Sequence, residues 1–445
     1  KPFEFLPFYV DAFASAQRRW GPDHTNTLSV MRELAHAYKD SKKFEDGIRV
    51  LEDLIRLRTA RFGTDQEVIK NLQFLAVTYQ GKKDFDQAIK LLEQVRGLTT
   101  AQRGATDPRT FVCLNDLAAA YHEAGRLERA VEVYLDALRS EAIGPRHHSR
   151  LITMCNLAVA YRDLGKADEA ISQFKETLRL RQAALEPAHP DTIQTMILLG
   201  TTLAQARRFD EAFPLFERAI ELRTASLGRT NRLTLDAMNS LAWAYGYDTT
   251  GSQLEKATSL WEETLELRKA VLGPNHEDTI NTMDNLARDY AWAGRFESAL
   301  DLLRELESLR GRDHPRNLSL MDYIGVKCFA SGKLDQALAL HEQTFQRAMA
   351  GPSPHGDRTR LYARNLAGVY RRMGKTNQLE SLYQDRLPAP GTNGLGVRIE
   401  IGRVLLESWI RPGVAPGSPE EERVRAHVTD VRRLFTSAPV KLAEH

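Results

Sequence analysis

Cysteine is scarce in this chain of 445 residues. Cys113, Cys155 and Cys328 are the whole supply, odd in number and with no CxxC pair. That argues against a disulfide framework and for a reducing, cytoplasmic setting. Long apolar runs are missing too. Nothing approaches the ~20 residues that span a bilayer. The apolar opening, Phe3 to Val10, is broken by Glu4 and Pro7 and lacks the form of a signal peptide. No membrane partner is expected. Charge of one sign is also lacking: 61 Lys and Arg face 59 Asp and Glu. A net charge of +2 argues against a surface built on phosphate contacts, and therefore against nucleic acid as a partner. Apolar residues at 42% and charged residues at 27% make this a soluble globular composition.

What the chain does have is repetition. An apolar residue, a small residue, two variable positions and usually an aromatic recur nine times. They read Leu34-Ala35…Tyr38, Leu75-Ala76…Tyr79, Leu117-Ala118…Tyr121, Leu157-Ala158…Tyr161 and Leu199-Gly200…Leu203. The series continues as Leu241-Ala242…Tyr245, Leu286-Ala287…Tyr290, Ile324-Gly325…Cys328 and Leu366-Ala367…Tyr370. The spacing is about 42 residues. Thirteen residues after each leading residue stands Gly47, Ala88, Ala130, Ala170, Ala212, Ala299, Ala337 or Leu379. Only the sixth repeat departs, placing Ala257 sixteen residues on and assigning the extra length to a turn at 246–253.

Met31, Leu34, Ala35 and Tyr38 fall at i, i+3, i+4 and i+7, one face of a helix. A turn follows, often Gly-Arg or Gly-Lys as at Gly125, Gly165, Gly294, Gly332 and Gly374, because glycine adopts the left-handed conformation that ends a helix. A second helix runs to a closing Leu-Arg, as at Arg58, Arg181, Arg223 and Arg268, which sets a cation at the negative end of the helix dipole. Residues 5–20 match the second helix of a repeat, Pro7 aligning with Pro214, so the chain opens in mid-repeat and is expected to be a piece of something longer. The expected organisation is residues 1–22 as the second helix of a truncated repeat, 23–387 as nine repeats and 388–396 as a linker. Residues 397–445 are expected to form a degenerate capping helical pair and tail, since terminal repeats must cover an exposed face.

The alternation of helix pairs with Leu-Ala…Tyr and Ala markers resembles the tetratricopeptide repeat, lengthened from its usual 34 residues. The inter-repeat run Leu272-Gly273-Pro274-Asn275-His276-Glu277-Asp278-Thr279, with related runs at 20–25, 187–192 and 313–315, resembles the kinesin-light-chain subgroup, bacterial type. The resemblance covers residues 5–384. It implies an all-α fold, a right-handed superhelical solenoid of about nine helical hairpins with a partial N-terminal helix and C-terminal capping helices. It also implies a protein or peptide ligand in the concave groove, and no enzymatic activity. Bacterial relatives of this kind are attached to kinases or signalling ATPases. The first alternative is therefore a sensor or autoregulatory region whose partner is another domain of the same polypeptide. The second is a self-assembling array.

In such repeats the first helix of each pair lines the groove. With the leading residue as position 7, positions 2, 5, 6, 9, 12 and 13 face the ligand. Position 6 is then Asn156, Asn285 and Asn365, and position 5 gives Asn115 and Asn239. An amide there can donate to and accept from an extended peptide backbone. The first repeat supplies Arg32, His36 and Lys39, and the ninth Arg364, Arg371 and Arg372. The middle carries Trp243, Tyr247, Arg288, Trp292 and Phe329, aromatic and arginine anchors of the kind that dominate interfaces. The expected ligand has an apolar centre and acidic flanks.

No residue presents itself for catalysis, and no cofactor is expected. Gly374-Lys375-Thr376 resembles the end of a phosphate-binding loop, but Val369 stands where that loop needs glycine. Neither Gly-x-Ser-x-Gly nor His-Glu-x-x-His occurs. His24, His189, His276 and His314 occupy one turn in different repeats, so they cannot meet at one metal ion. Local hydrogen bonding is expected of them, with Thr25, Asp191 or Asp278 capping the next helix. His147-His148 lacks a carboxylate or thiolate at ligand spacing. No metal is expected either.

Overall fold

The computed structural model describes residues 2–375, except 142, 249 and 353–355, together with 377, 378, 422 and 429. All the regular structure there is helical, in 18 helices. The chain divides into two compact units, residues 1–226 and 227–445. In the first, α1 (Pro2–Trp20) precedes α2 (Thr25–Asp40) and α3 (Phe44–Phe62), then α4 (Gln66–Lys82) and α5 (Phe85–Arg103). There follow α6 (Pro108–Glu123) and α7 (Leu127–Arg139), α8 (His148–Asp163) and α9 (Ala167–Ala184), and α10 (Pro190–Gln205) and α11 (Phe209–Leu227). The second holds α12 (Arg232–Tyr247) and α13 (Leu254–Leu272), α14 (Glu277–Trp292) and α15 (Phe296–Arg310), α16 (Pro315–Ala330) and α17 (Leu334–Ala350), and α18 (Asp357–Arg372). The expected linker, 388–396, and capping pair lie outside the described residues, apart from the isolated positions 422 and 429.

Small residues set how closely the helices of a hairpin approach. Ala35, Ala76, Ala118, Ala158, Ala242 and Ala287 are fully buried, as are Ala88, Ala130, Ala170, Ala257 and Ala299 on the second helices. Where the eighth repeat has Gly325, the His341 ring fills the space, and a Cβ there would lie 2.9 Å from it. His341 is itself buried, with Nδ1 2.9 Å from Asp322 Oδ1. Leucines such as Leu51, Leu92, Leu117 and Leu151 close the core, each contributing roughly 1.5–3 kcal/mol by leaving water.

The turns follow the glycine expectation and extend it. Gly125, Gly165, Gly294, Gly332 and Gly374 have φ between 70° and 79°. The repeats without that glycine still make the same turn, forcing Lys42, Lys83 and Arg207 to φ of 56°, 68° and 59°. The lengthened turn is shorter than the spacing suggests. Gly246 and Tyr247 end α12, and α13 begins at Leu254. Asp248 organises the turn, accepting from Thr250 N, Thr250 Oγ1 and Ser252 Oγ.

The inter-repeat histidines correct the capping expectation. They are the caps themselves: Nδ1 of His24, His189, His276 and His314 accepts the backbone N–H two residues on, at 3.1–3.2 Å, and His147 does the same. An imidazole with its proton on Nε2 offers a lone pair in the place of a capping carboxylate. Asp191 and Asp278 follow in the first turn.

Two kinds of contact recur between successive repeats. The motif tyrosine reaches back to a glutamate on the preceding second helix: Tyr79 to Glu52, Tyr121 to Glu93 and Tyr290 to Glu262. The closing arginines do more than meet a helix dipole. Arg181, Arg223 and Arg268 are buried, and Arg181 Nη1 donates to the Asp191 carbonyl (2.7 Å) and Thr195 Oγ1 (2.6 Å) of the following helix. Arg58 closes on Asp65, the cap of α4, and Arg310 on Asn317 and Asp284.

Within each unit, neighbouring first helices touch: α2 and α4, α6 and α8, α8 and α10 in one, α12 and α14, α14 and α16, α16 and α18 in the other. Among the described residues the second helices do not meet one another comparably. After the short link at 311–314, α16 lies along more of α14 than first helices elsewhere do along theirs.

Candidate functional site

Where α12, α14 and α16 run side by side, a cleft of about 210 Å³ opens on the first-helix face of the second unit. Its lining is Trp243, Gly246 and Tyr247 from α12, Trp261 from α13, Asn285, Arg288, Asp289 and Trp292 from α14, and Tyr323 from α16. Helical spacing builds the walls. Trp243 and Tyr247 are four residues apart and stack at 4.9 Å, with 21° between their planes. Arg288 and Trp292 repeat that spacing on α14.

The rings already carry cations. Lys327 Nζ lies 3.8 Å from the Trp292 centroid and 5.3 Å from that of Tyr323. The Arg288 guanidinium sits 5.3 Å over Tyr323 while its Nε donates to Asp284 at 3.2 Å. Asp284 also receives Arg310 at 2.7 Å. Trp292 remains 38% exposed, whereas Trp261 is 1% exposed and forms the floor. Its Nε1 donates to Asp289 Oδ2 at 2.9 Å. Burial pushes the Asp289 carboxyl up to about 6, against the opposing effect of that indole hydrogen bond. Asp289 packs so tightly on α12 that a Cβ at Gly246 would stand 2.6 Å from Oδ2. A larger residue there would have to displace that carboxylate.

Of the residues singled out from sequence, Trp243, Tyr247, Asn285, Arg288 and Trp292 therefore meet in one place. The other amides divide. Asn115 accepts from Thr153 Oγ1 (2.9 Å), Asn239 from the buried Arg268 (3.0 Å), and Asn365 donates to both oxygens of Asp322. These three are engaged within the fold. Asn156 and Asn285 have no side-chain hydrogen bond to any described residue. In the first unit Arg32 pairs with Glu67 (2.9 Å), and Lys39 lies over Phe74, on which His36 stacks. Arg364 and Arg371 are exposed on α18. Phe329 lies outside the cleft. Sequence reasoning passed over Tyr323, which the position-6 rule would have found, and Asp289 and Trp261, which occupy positions ordinarily given to packing.

Among the described residues, no group of three or more His, Cys, Asp or Glu could hold a metal ion. No described helix is long and apolar enough to cross a membrane. Cys113, Cys155 and Cys328 are buried free thiols, and burial raises all three above the ordinary thiol value.

Tandem helical hairpins with small residues at the crossing define an all-helical repeat protein. The family profile of the tetratricopeptide repeat matches residues 67–140, 137–183, 149–225, 191–248 and 252–311, more than half of the chain, which belongs to that family. Similar solved structures include a putative kinesin light chain from Podosopora anserina with nearly identical TPR-like repeats. It is 23% identical, over 45% of this chain and 95% of that one, with a TM-score of 0.41. BtubC (BKLC) from P. vanneervenii is 20% identical over 51% of this chain and 93% of that one, at 0.44. A tetratricopeptide repeat protein from Parabacteroides merdae is 15% identical over 68% of this chain and 98% of that one, at 0.45. No curated protein matches the chain.

Proposed function

We propose that the chain is a non-catalytic docking protein whose first-helix face, the concave groove of the sequence reading, binds a peptide segment of a partner protein. The single observation that carries this reading is the aromatic cleft between α12, α14 and α16. Trp292 leaves more than a third of its surface exposed, and tryptophan, tyrosine and arginine are the side chains on which interfaces concentrate their energy. Asn285 stands beside them with its amide uncommitted, ready for a peptide backbone. Asn156 offers the same group in the first unit. Arg364 and Arg371 extend the face with positive charge and suit acidic flanks on the ligand.

The test is selection of peptides from a random library on the wild-type chain, followed by titration into Trp292→Ala and Asn285→Ala. A central anchor is worth about 2 kcal/mol or more, so Trp292→Ala should weaken the selected peptides at least about thirtyfold with the fold retained by circular dichroism. Peptides held equally by wild type and Trp292→Ala would refute docking at this cleft.

A further inference from the structure

The cleft contains a carboxylate that no cation among the described residues answers. Asp289 is half-buried, it makes no ion pair with any described residue, and its one side-chain hydrogen bond comes from the neutral indole of Trp261. The two nearby cations are otherwise engaged. Arg288 is turned to Asp284 and Tyr323, and Lys327 to the faces of Trp292 and Tyr323. Neither holds the Asp289 carboxyl down, and desolvation leaves it above the usual carboxylate range. An ionised carboxylate under aromatic walls is costly unless a counter-charge arrives.

The walls fit the same visitor. Indole and phenol faces attract cations, as Lys327 and Arg288 already show on these very rings. A planar guanidinium is weakly hydrated, stacks flat on aromatic rings and presents paired N–H donors to a carboxylate. A cleft of about 210 Å³ has room for one such side chain. Resting on the docking reading above, we propose that the cleft receives the guanidinium of an arginine side chain from a partner polypeptide, stacked on the Trp243, Tyr247 and Trp292 rings and hydrogen-bonded to Asp289. The apolar centre expected from sequence becomes a cation seated in an apolar wall.

Acetyl-Gly-Arg-Gly-amide is the probe, with its citrulline and glutamate counterparts beside it, followed by quenching of tryptophan fluorescence in the intact chain. Citrulline keeps the shape and loses the charge. The arginine peptide should bind at least about tenfold more tightly than citrulline at pH 7.5. That preference should fall to within about twofold in Asp289→Asn, whose side-chain oxygen still accepts from Trp261. It should also shrink on going from pH 7.5 to 5.5, as Asp289 takes up a proton. The other charged or titratable groups around the cleft are Tyr247 on α12, Asp284 and Arg288 on α14, and Tyr323 and Lys327 on α16, while Trp261 on α13 is neutral. Equal binding of arginine and citrulline, tighter binding of glutamate, or an arginine preference that survives Asp289→Asn would overturn the proposal. Library peptides that need Trp292 but carry no arginine would remove the cation and leave docking standing. Asp289-dependent arginine binding without any Trp292-dependent library peptide would do the reverse.

Discussion

Replacing Arg268 by methionine removes a guanidinium that ties the sixth repeat to the seventh. The side chain is 3% exposed and makes four hydrogen bonds: to Asn239 Oδ1 (3.0 Å), the Asp278 carbonyl (3.0 Å), Thr282 Oγ1 (2.7 Å) and Asp236 Oδ1 (2.6 Å). Breaking a fully buried charged pair by deleting one partner costs about 3–5 kcal/mol. Here the cost is lower, for reasons visible in the contacts. The Asp236 side chain is 42% exposed and regains water. The Asp278 carbonyl keeps its bond from Thr282 Oγ1 at 2.8 Å, so neither group is orphaned. Methionine also fills the volume of the arginine stem. What remains is the loss of bonds to a charged donor, and about 2–3 kcal/mol is expected. Repeat arrays are stabilised by nearest-neighbour interfaces, so the effect should be local. Hydrogen–deuterium exchange should quicken at the end of α13 and the start of α14, while α4 to α9 stay unchanged. A loss under about 0.5 kcal/mol in denaturant unfolding, with no local change in exchange, would show that the arginine is replaceable packing and refute the reasoning.

Two further predictions use the turns and the caps. Lys83→Gly relieves a side chain held at φ 68°, and against the added freedom of the unfolded glycine it should raise stability by up to about 1 kcal/mol in denaturant unfolding. Glu128→Gly, in the first turn of α7, removes an acid favoured by the helix dipole and should lower it by about 0.3–1 kcal/mol. His314 caps α16 through an unprotonated Nδ1, and burial first, then Arg310 and Arg316, lower its pKa below the ordinary value near 6.5. A depressed folded pKa means that the stability is present above about pH 6.5 and is lost as pH falls through the folded value. His314→Asn should keep the cap and abolish that share of the pH dependence, about 1 kcal/mol, in thermal melts between pH 7.5 and 5. An unchanged pH profile would show that the imidazole contributes nothing as an acceptor.

Spacing alone carried the helical hairpins, their small-residue crossings and the glycine turns. These depend on interactions within a few residues or across one hairpin, and a period of about 42 repeats the markers that carry them along the chain. Pro7 and Pro214 both lie inside helices, as their alignment implied. The cleft was half legible. Trp243, Arg288 and Trp292 follow from position in the repeat, because every first helix presents the same face. Asp289 and Trp261 do not. They sit at packing positions, and the hydrogen bond between them exists because the missing side chain of Gly246 lets α12 settle onto the carboxylate. Asn239 and Asn365 read as free amides in sequence. Only the approach of Arg268 from the second helix and of Asp322 from the neighbouring repeat shows that they are engaged. Periodicity specifies which face a residue is on, since that is a property of one helix. Which partner meets it there depends on the packing of neighbouring repeats, where a single glycine or a shortened link moves one helix against the next.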